Sequence, residues 1–179
     1  VMGLECFGIT LTFIALVLLL NGDGDREQKL LIFIMCGCLV QNVGYLLELT
    51  APTMEAAVAA VTVENVGSAF VPLCYSWFTY TYCYAPPPKK LLRILGLINF
   101  CVLPTVFFNW NGLFYEYFQW LSTADGFHYV RIAYGPLYSL FMGTRVLIPY
   151  ILSIHTLGRA VRLRSDQQVS RQYKTILAI

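Results

Sequence analysis

The sequence predicts an all-α membrane protein, a multi-pass helical bundle with five complete transmembrane helices and the start of a sixth. The chain is 58% hydrophobic and 12% charged, whereas a soluble domain is about half apolar and about a quarter charged. Short charged or turn-rich segments divide it into apolar pieces of about 20 residues, the length that crosses a bilayer as a helix. Lysines and arginines cluster in alternate connections between those pieces.

The five predicted spans cover residues 4–20, 30–49, 54–84, 91–108 and 136–157. The first ends at NGDGDREQK, whose glycines and charges are typical of a short loop. The second and third are separated by APT, and the third is predicted as one long helix. It is stopped by APPPKK, because consecutive prolines cannot continue the backbone hydrogen bonds of a helix.

Residues 109–135 are predicted to form an irregular, amphipathic segment at the membrane surface. The segment is rich in Trp, Tyr and Phe and is interrupted by charges, a composition typical of membrane interfaces. We expect it to cover the outer side of the bundle. After the fifth span comes a basic connection, and the final five residues, TILAI, are too few to span a bilayer. We therefore expect the chain to be a fragment that ends within a sixth helix.

The basic residues predict the orientation of the spans. They concentrate in the first, third and fifth connections and are scarce in the second and fourth: Arg26 and Lys29; Lys89, Lys90 and Arg93; Arg159, Arg162, Arg164, Arg171 and Lys174. Cytoplasmic loops carry an excess of Lys and Arg. The odd-numbered connections are thus predicted to be cytoplasmic and the N-terminus to lie outside.

Several polar side chains are predicted to lie in the outer half of the membrane. An arginine at the depth expected for Arg145 costs at least about 2.5 kcal/mol unless it faces protein, water or an anion. Helical spacing places polar residues of spans two, three and five on faces that can converge. We predict that eight residues form a polar cup open to the outside: Gln41, Asn42, Tyr45, Glu48, Glu64, Ser68, Tyr138 and Arg145.

Two interpretations of the cup remain open. Arg145 and Glu64 can simply pair to join spans three and five, or Arg145 can extend to the membrane surface, and no ligand is then needed. Alternatively, the cup is a site for an unknown small ligand with an anionic group, since the guanidinium matches carboxylates and phosphates.

Other kinds of site receive no support from the sequence. The six cysteines lie in apolar stretches without the paired Cys/His spacing of a metal site, so we expect no metal and no cofactor. His128 and His155 have no nucleophile or carboxylate in a recognisable catalytic pattern, so we expect no enzyme in this fragment. A net charge of +2 does not indicate nucleic acid as a partner.

Three motifs carry a family resemblance. Span two ends in a Gly-Tyr-x-x-Glu-Leu pattern, span three carries a glutamate and a small residue before a proline, and Gly-Pro-Leu-Tyr begins span five. The matching residues are Gly44, Tyr45, Glu48 and Leu49; Glu64, Asn65, Gly67 and Pro72; Gly135, Pro136, Leu137 and Tyr138. In these motifs the chain resembles the N-terminal seven-transmembrane sensor region of bacterial histidine kinases, which is also found on diguanylate cyclases. It departs from the family pattern at Asn65, where a tyrosine is common.

The resemblance implies that residues 1–179 form one transmembrane sensor domain in the bacterial plasma (inner) membrane, with the output domain outside this sequence. It implies a receptor that binds its ligand in the cup and signals to a cytoplasmic histidine kinase or diguanylate cyclase. It also implies that the full-length protein is a sensor histidine kinase and a homodimer in the lipid bilayer.

Two other functions stay open, a small transporter or channel and a structural subunit of a larger complex. A transporter would need polar residues that continue toward the inner side. Inward of the cup, span two is apolar (LIFIMCGCLV), which favours a receptor with a closed cup.

Overall fold

The computed structural model describes residues 2–22, 24–122 and 128–163. It has seven α-helices, one π-helical turn, one short 3-10 helix (Trp110–Gly112) and two strands in this part of the chain. In order, the other elements are α1 (Met2–Leu20), α2 (Arg26–Leu49), α3 (Met54–Ser68), α4 (Val71–Tyr82), α5 (Lys89–Phe108), β1 (Tyr115–Ser122), β2 (His128–Tyr134), α6 (Pro136–Met142), the π-helical turn (Gly143–Leu147) and α7 (Ile148–Leu163).

Five helical stretches in the described residues are long and apolar enough to cross a membrane: Gly3–Leu20, Arg26–Leu49, Met54–Tyr82, Lys89–Phe108 and Pro136–Arg162. They coincide with the five predicted spans, so the predicted fold class is confirmed. The predicted start of a sixth helix lies outside the described residues. The orientation in the membrane stays a prediction.

The connection between α1 and α2 is shorter than the predicted loop, because α2 already begins at Arg26. Asp25 caps α2 by accepting a 2.7 Å hydrogen bond from the backbone N–H of Gln28. The Gln28 side chain folds back, where it accepts a 2.7 Å bond from the Gly24 amide and donates to the carbonyl of Leu19 at the end of α1. One side chain therefore ties together the two helix ends.

Span three is not one continuous helix, and this part of the prediction is wrong. Helix α3 ends at Ser68 and α4 begins at Val71. Pro72 lies in the first turn of α4, where its missing N–H costs nothing. In a continuous helix, the same ring would clash with the carbonyl of Ser68. The break therefore follows from the proline.

The fifth span widens into the π-helical turn just before Pro149. In a regular helix, the Pro149 ring would collide with the carbonyl of Arg145 and could offer it no amide hydrogen. An inserted residue relieves such a conflict, and π-helical turns are frequent at functional sites. Arg145 lies within this turn.

The sequence predicted an irregular aromatic segment, and this prediction is wrong. Most of the segment forms a β-hairpin. Strands β1 and β2 pair antiparallel, from Tyr115 opposite Tyr134 to Ser122 opposite His128, with a bulge between Tyr115 and Tyr117. The runs are rich in aromatic and β-branched residues, which suit a half-buried pleated surface.

Helices α2 and α3 pack closely because glycines face the neighbouring backbone. A Cβ on Gly44 would lie 2.6 Å from the Glu64 nitrogen, and one on Gly67 would lie 2.5 Å from the Gln41 nitrogen. Only residues without a side chain allow this approach. The two helices therefore hold a fixed relative register.

A buried apolar cluster joins α3, α5, α6 and the hairpin. Its members are Val61, Ala69, Val102, Val106, Phe114, Tyr115 and Phe141. Large apolar side chains on the outside of the bundle are exposed, such as Leu4 at 78% and Phe100 at 65%. An outward apolar surface of this kind suits contact with lipid.

Candidate functional site

A cavity of about 220 Å³ brings together four of the eight residues predicted for the polar cup. These four are Glu48, Glu64, Tyr138 and Arg145. The cavity is completed by Asn65 and Val61 from α3 and by three residues of β2, namely Val130, Ile132 and Tyr134. The hairpin thus contributes one wall, as expected for a segment that covers the cup.

The close packing of α2 on α3 positions the two glutamates. Gly44 lies directly against the backbone of Glu64, and Glu48 follows Gly44 by one turn on the same face of α2. Both carboxylates line the same cavity. Glu55, by contrast, lies exposed in the first turn of α3. Of the glutamates in this region, Glu48 and Glu64 thus line the cavity.

The Arg145 side chain is only partly satisfied by the protein. Its Nη1 donates a 3.3 Å hydrogen bond to Oδ1 of Asn65, and its guanidinium carbon lies 4.7 Å from the centroid of the Phe141 ring. Its Nε is buried without a hydrogen-bond partner. Among the residues that the structure describes, Arg145 has no carboxylate oxygen within the 4.0 Å of an ion pair.

Asn65 connects the arginine to the hairpin. Its Nδ2 donates a 2.9 Å bond to the hydroxyl of Tyr115 and a 3.0 Å bond to the carbonyl of Val61, while its Oδ1 accepts from Arg145. These three bonds are consistent with a single orientation of the amide. Tyr115 is 1% exposed, so the packing around it holds the hydroxyl that accepts the bond from Asn65.

Two tyrosines form the wall of the cavity beside β2. The rings of Tyr134 and Tyr138 stack, with centroids 3.7 Å apart and an interplanar angle of 16°. The pKa of Tyr134 is raised above its ordinary value, mainly by burial and next by the electrostatic effect of the neighbouring Tyr138. The pKa of Tyr115 is likewise raised, mainly by burial and next by the electrostatic effect of Tyr134. At neutral pH these phenols therefore stay protonated and can donate hydrogen bonds.

The other four predicted residues do not form the wall of the cavity. Within the described residues, Gln41, Asn42, Tyr45 and Ser68 are not among those that line it. The Ser68 hydroxyl is buried and donates a 2.9 Å bond to the carbonyl of Glu64 in its own helix. The Gln41 backbone is packed under Gly67.

Sequence reasoning did not assign Asn65, Val61 or the three β2 residues to the site. The first two were detectable, because Val61, Glu64, Asn65 and Ser68 have the i, i+3, i+4, i+7 spacing of one helix face. Tyr134 and its strand neighbours required the hairpin to be recognised first.

The described residues contain no group of three or more His, Cys, Asp or Glu side chains that could hold a metal ion. The cavity wall offers hydrogen bonding and charge through two carboxylates, one guanidinium, one amide and two phenols.

The fold and the cavity define a multi-pass helical membrane module with an ionisable cavity between its spans and a hairpin. Residues 5–179 match the family described as the N-terminal 7TM region of histidine kinase, and the chain belongs to that family. No significant match is found among the curated proteins or the solved structures. The predicted family is thus confirmed, and the chain is the sensor region of a histidine kinase, a multi-pass protein of the plasma membrane.

Proposed function

We propose that the 220 Å³ cavity binds a small polar ligand from the extracytoplasmic side and that binding is signalled to a cytoplasmic histidine kinase. The observation that carries this proposal is the buried Nε of Arg145, a donor without a partner on a residue that lines the cavity. Leaving a buried donor unsatisfied costs about 1–3 kcal/mol. An acceptor group on a ligand would recover this loss.

The charges in the wall define the chemistry of the ligand. The guanidinium of Arg145 suits an anionic group, whereas the carboxylates of Glu48 and Glu64 suit a cation or hydrogen-bond donors. The volume is below the roughly 300–1,000 Å³ of pockets for drug-sized ligands. A small zwitterion, with a carboxylate or phosphate beside an amine, complements both halves of the wall.

The π-helical turn supplies a route from the cavity to the cytoplasm. Arg145 lies in this turn, and α7 continues from it without a break for 16 residues. The turn can be π-helical or α-helical, and a ligand that binds one of these two states more tightly would shift the equilibrium toward it. Such a change would rotate or translate α7, which is the end of the bundle's fifth span.

The proposal is tested by ligand-dependent thermal stability. A panel of free amino acids, with monocarboxylates and monoamines of matched size as partial ligands, is screened for compounds that raise the melting temperature of the purified protein. We expect some zwitterions to raise it more than either partial ligand. We expect Arg145→Gln to abolish the rise and Arg131→Gln, an exposed arginine of β2, to retain it. A rise of equal size in Arg145→Gln would contradict the proposal.

The acidic side of the cavity has its own matched pair of variants. Glu64→Gln should weaken the response to zwitterions, while Glu55→Gln, an exposed glutamate of the same helix, should leave it unchanged. Transport is the competing function, and ligand uptake into proteoliposomes would favour it over a receptor.

A further inference from the structure

A second and larger cavity of about 450 Å³ lies at the other end of the spans. It is formed where α4 ends, where the proline-rich connection leads into α5, and along the last turns of α7. Polar and basic side chains contribute to its wall from two segments, namely Tyr80 and Tyr84 from one and His155, Thr156 and Arg159 from the other. The proposed function does not use this cavity.

The cavity and the polar cup are separated by most of the thickness of the hydrocarbon core. Tyr80 follows Glu64 by 16 residues and Arg159 follows Arg145 by 14. At 1.5 Å of rise per residue, these separations are about 20–25 Å along the helices. The hydrocarbon core is about 30 Å thick, so the second cavity lies at the opposite membrane boundary, where lipid headgroups lie.

The surroundings of the cavity are positive. Neither of the segments that form its wall, residues 80–90 and 155–163, contains an aspartate or glutamate. Helix α5 begins at Lys89, directly after Pro88 in the cavity wall. The N-terminus of a 20-residue helix has a partial positive charge, which favours an anion.

Exposed apolar side chains lie on the helices that form or adjoin the cavity. Ile151 and Ile154 precede His155 on α7 and are 55% and 57% exposed, and Ile94 on α5 is 55% exposed. A bound phospholipid could place its phosphate beside Arg159 and its acyl chains along such side chains. A free phosphate ion would gain nothing from them.

We propose that this cavity binds the phosphate headgroup of an anionic phospholipid through Arg159 and His155. The phosphate accepts hydrogen bonds from the guanidinium, and the tyrosines of the α4 end lie at the level where aromatic side chains favour the membrane interface. The lipid would thereby connect the end of α4 to α7, the helix that continues from Arg145.

The test uses the purified protein in nanodiscs of phosphatidylcholine alone or with phosphatidylglycerol. We expect phosphatidylglycerol to raise the melting temperature and to be retained in native mass spectrometry. Arg159→Gln should reduce retention by about fivefold, the effect of one basic residue at an anionic surface. His155→Gln should reduce it as well, and Arg159→Lys should restore much of it.

The matched control is Arg162→Gln, which removes an exposed arginine of α7 that is not in the cavity wall. It should leave retention unchanged. Equal loss in Arg159→Gln and Arg162→Gln would overturn the proposal, because the effect would then be one of net charge. Equal protection by inorganic phosphate added to phosphatidylcholine nanodiscs would overturn the assignment to a lipid. Circular dichroism of each variant checks that the helices are intact.

Discussion

The carboxamide oxygen of Asn65 accepts a 3.3 Å hydrogen bond from Nη1 of Arg145, and this bond joins α3 to the π-helical turn. The nitrogen of the same amide donates to the Tyr115 hydroxyl at 2.9 Å. One short side chain therefore links the helix that carries Glu64, the turn that carries Arg145 and the hairpin that covers the cavity. Any ligand that draws the guanidinium toward itself must compete with Asn65.

Asn65→Ala should destabilise the protein and change its response to ligand. Both Arg145 and Tyr115 would lose a partner, and each buried polar group left unsatisfied costs about 1–3 kcal/mol. The measurement is the free energy of unfolding in one detergent, with Asn21→Ala as the control. The Asn21 side chain donates a bond to the carbonyl of Val17, in an exposed position just after α1. Similar losses in the two variants would show that Asn65 is not a structural connector.

The spans and four cavity residues could be predicted because they depend on local rules. The lengths of the apolar runs determine the spans. The free-energy cost of placing an arginine within the membrane identifies Arg145 as a candidate site residue from the sequence alone. The faces of α2 and α3 follow from helical periodicity, which identifies Glu48 and Glu64 as neighbours once the helices are paired. The same periodicity does not say how two helices are rotated relative to each other.

The remaining features depend on contacts between distant segments. Gly44 and Gly67 fix the rotation of α2 against α3, and this rotation places Gln41 and Ser68 beside the cavity rather than in its wall. The hairpin was missed because its aromatic residues also match an interfacial segment. The available signal was in the sequence, where Ser-Thr-Ala-Asp-Gly, a composition typical of turns, separates two runs rich in aromatic and β-branched residues.

Gly44→Ala should separate α2 from α3 and weaken the binding of ligand. The added methyl would lie 2.6 Å from the Glu64 nitrogen and 3.1 Å from the Ala60 carbonyl oxygen, both of them backbone atoms that cannot rotate away. We expect a lower melting temperature and a smaller ligand-induced rise. The control is Gly8→Ala, since a Cβ at Gly8 meets nothing within 4 Å. There alanine should be neutral or stabilising by about 0.5–1 kcal/mol, as in any helix interior. Equal behaviour of the two variants would contradict the close approach.

Stability should fall at alkaline pH because of two tyrosines at the hairpin. Burial raises the pKa of Tyr115 and Tyr134 in the folded protein above the value of 10.0 expected for an exposed phenol. Below pH 10 the two tyrosines are protonated in both the folded and the unfolded protein, and their contribution to folding stability is fully present. As pH rises above it, the unfolded chain loses its protons first, so the folded state loses stability.

Melting temperatures measured from about pH 8 to about pH 11 check this prediction. Tyr134→Phe should make the alkaline fall shallower, since one of the two groups is removed. Tyr129→Phe, which removes a tyrosine of the same strand that is not among the residues lining the cavity, should leave the slope unchanged. An alkaline fall of equal steepness in wild type and Tyr134→Phe would show that Tyr134 does not contribute.

Ser76 and Ser153 should act as one unit between α4 and α7. Both hydroxyls are buried, they lie 2.9 Å apart, and both reach the carbonyl of Pro149, at 2.5 Å from Ser76 and 2.9 Å from Ser153. Each serine has one proton, so the three contacts share two hydrogens. Removing one hydroxyl still leaves the other to satisfy the Pro149 carbonyl.

A double-mutant cycle of Ser76→Ala and Ser153→Ala measures this sharing. We expect the loss in the double variant to differ from the sum of the single losses by about 0.5–3 kcal/mol, the range for residues in one network. Ser139→Ala, an exposed serine of α6, paired with either variant should be additive. Additive losses for Ser76 and Ser153 would mean that the two helices are held by independent bonds. α7 could then move relative to α4 without breaking a shared contact.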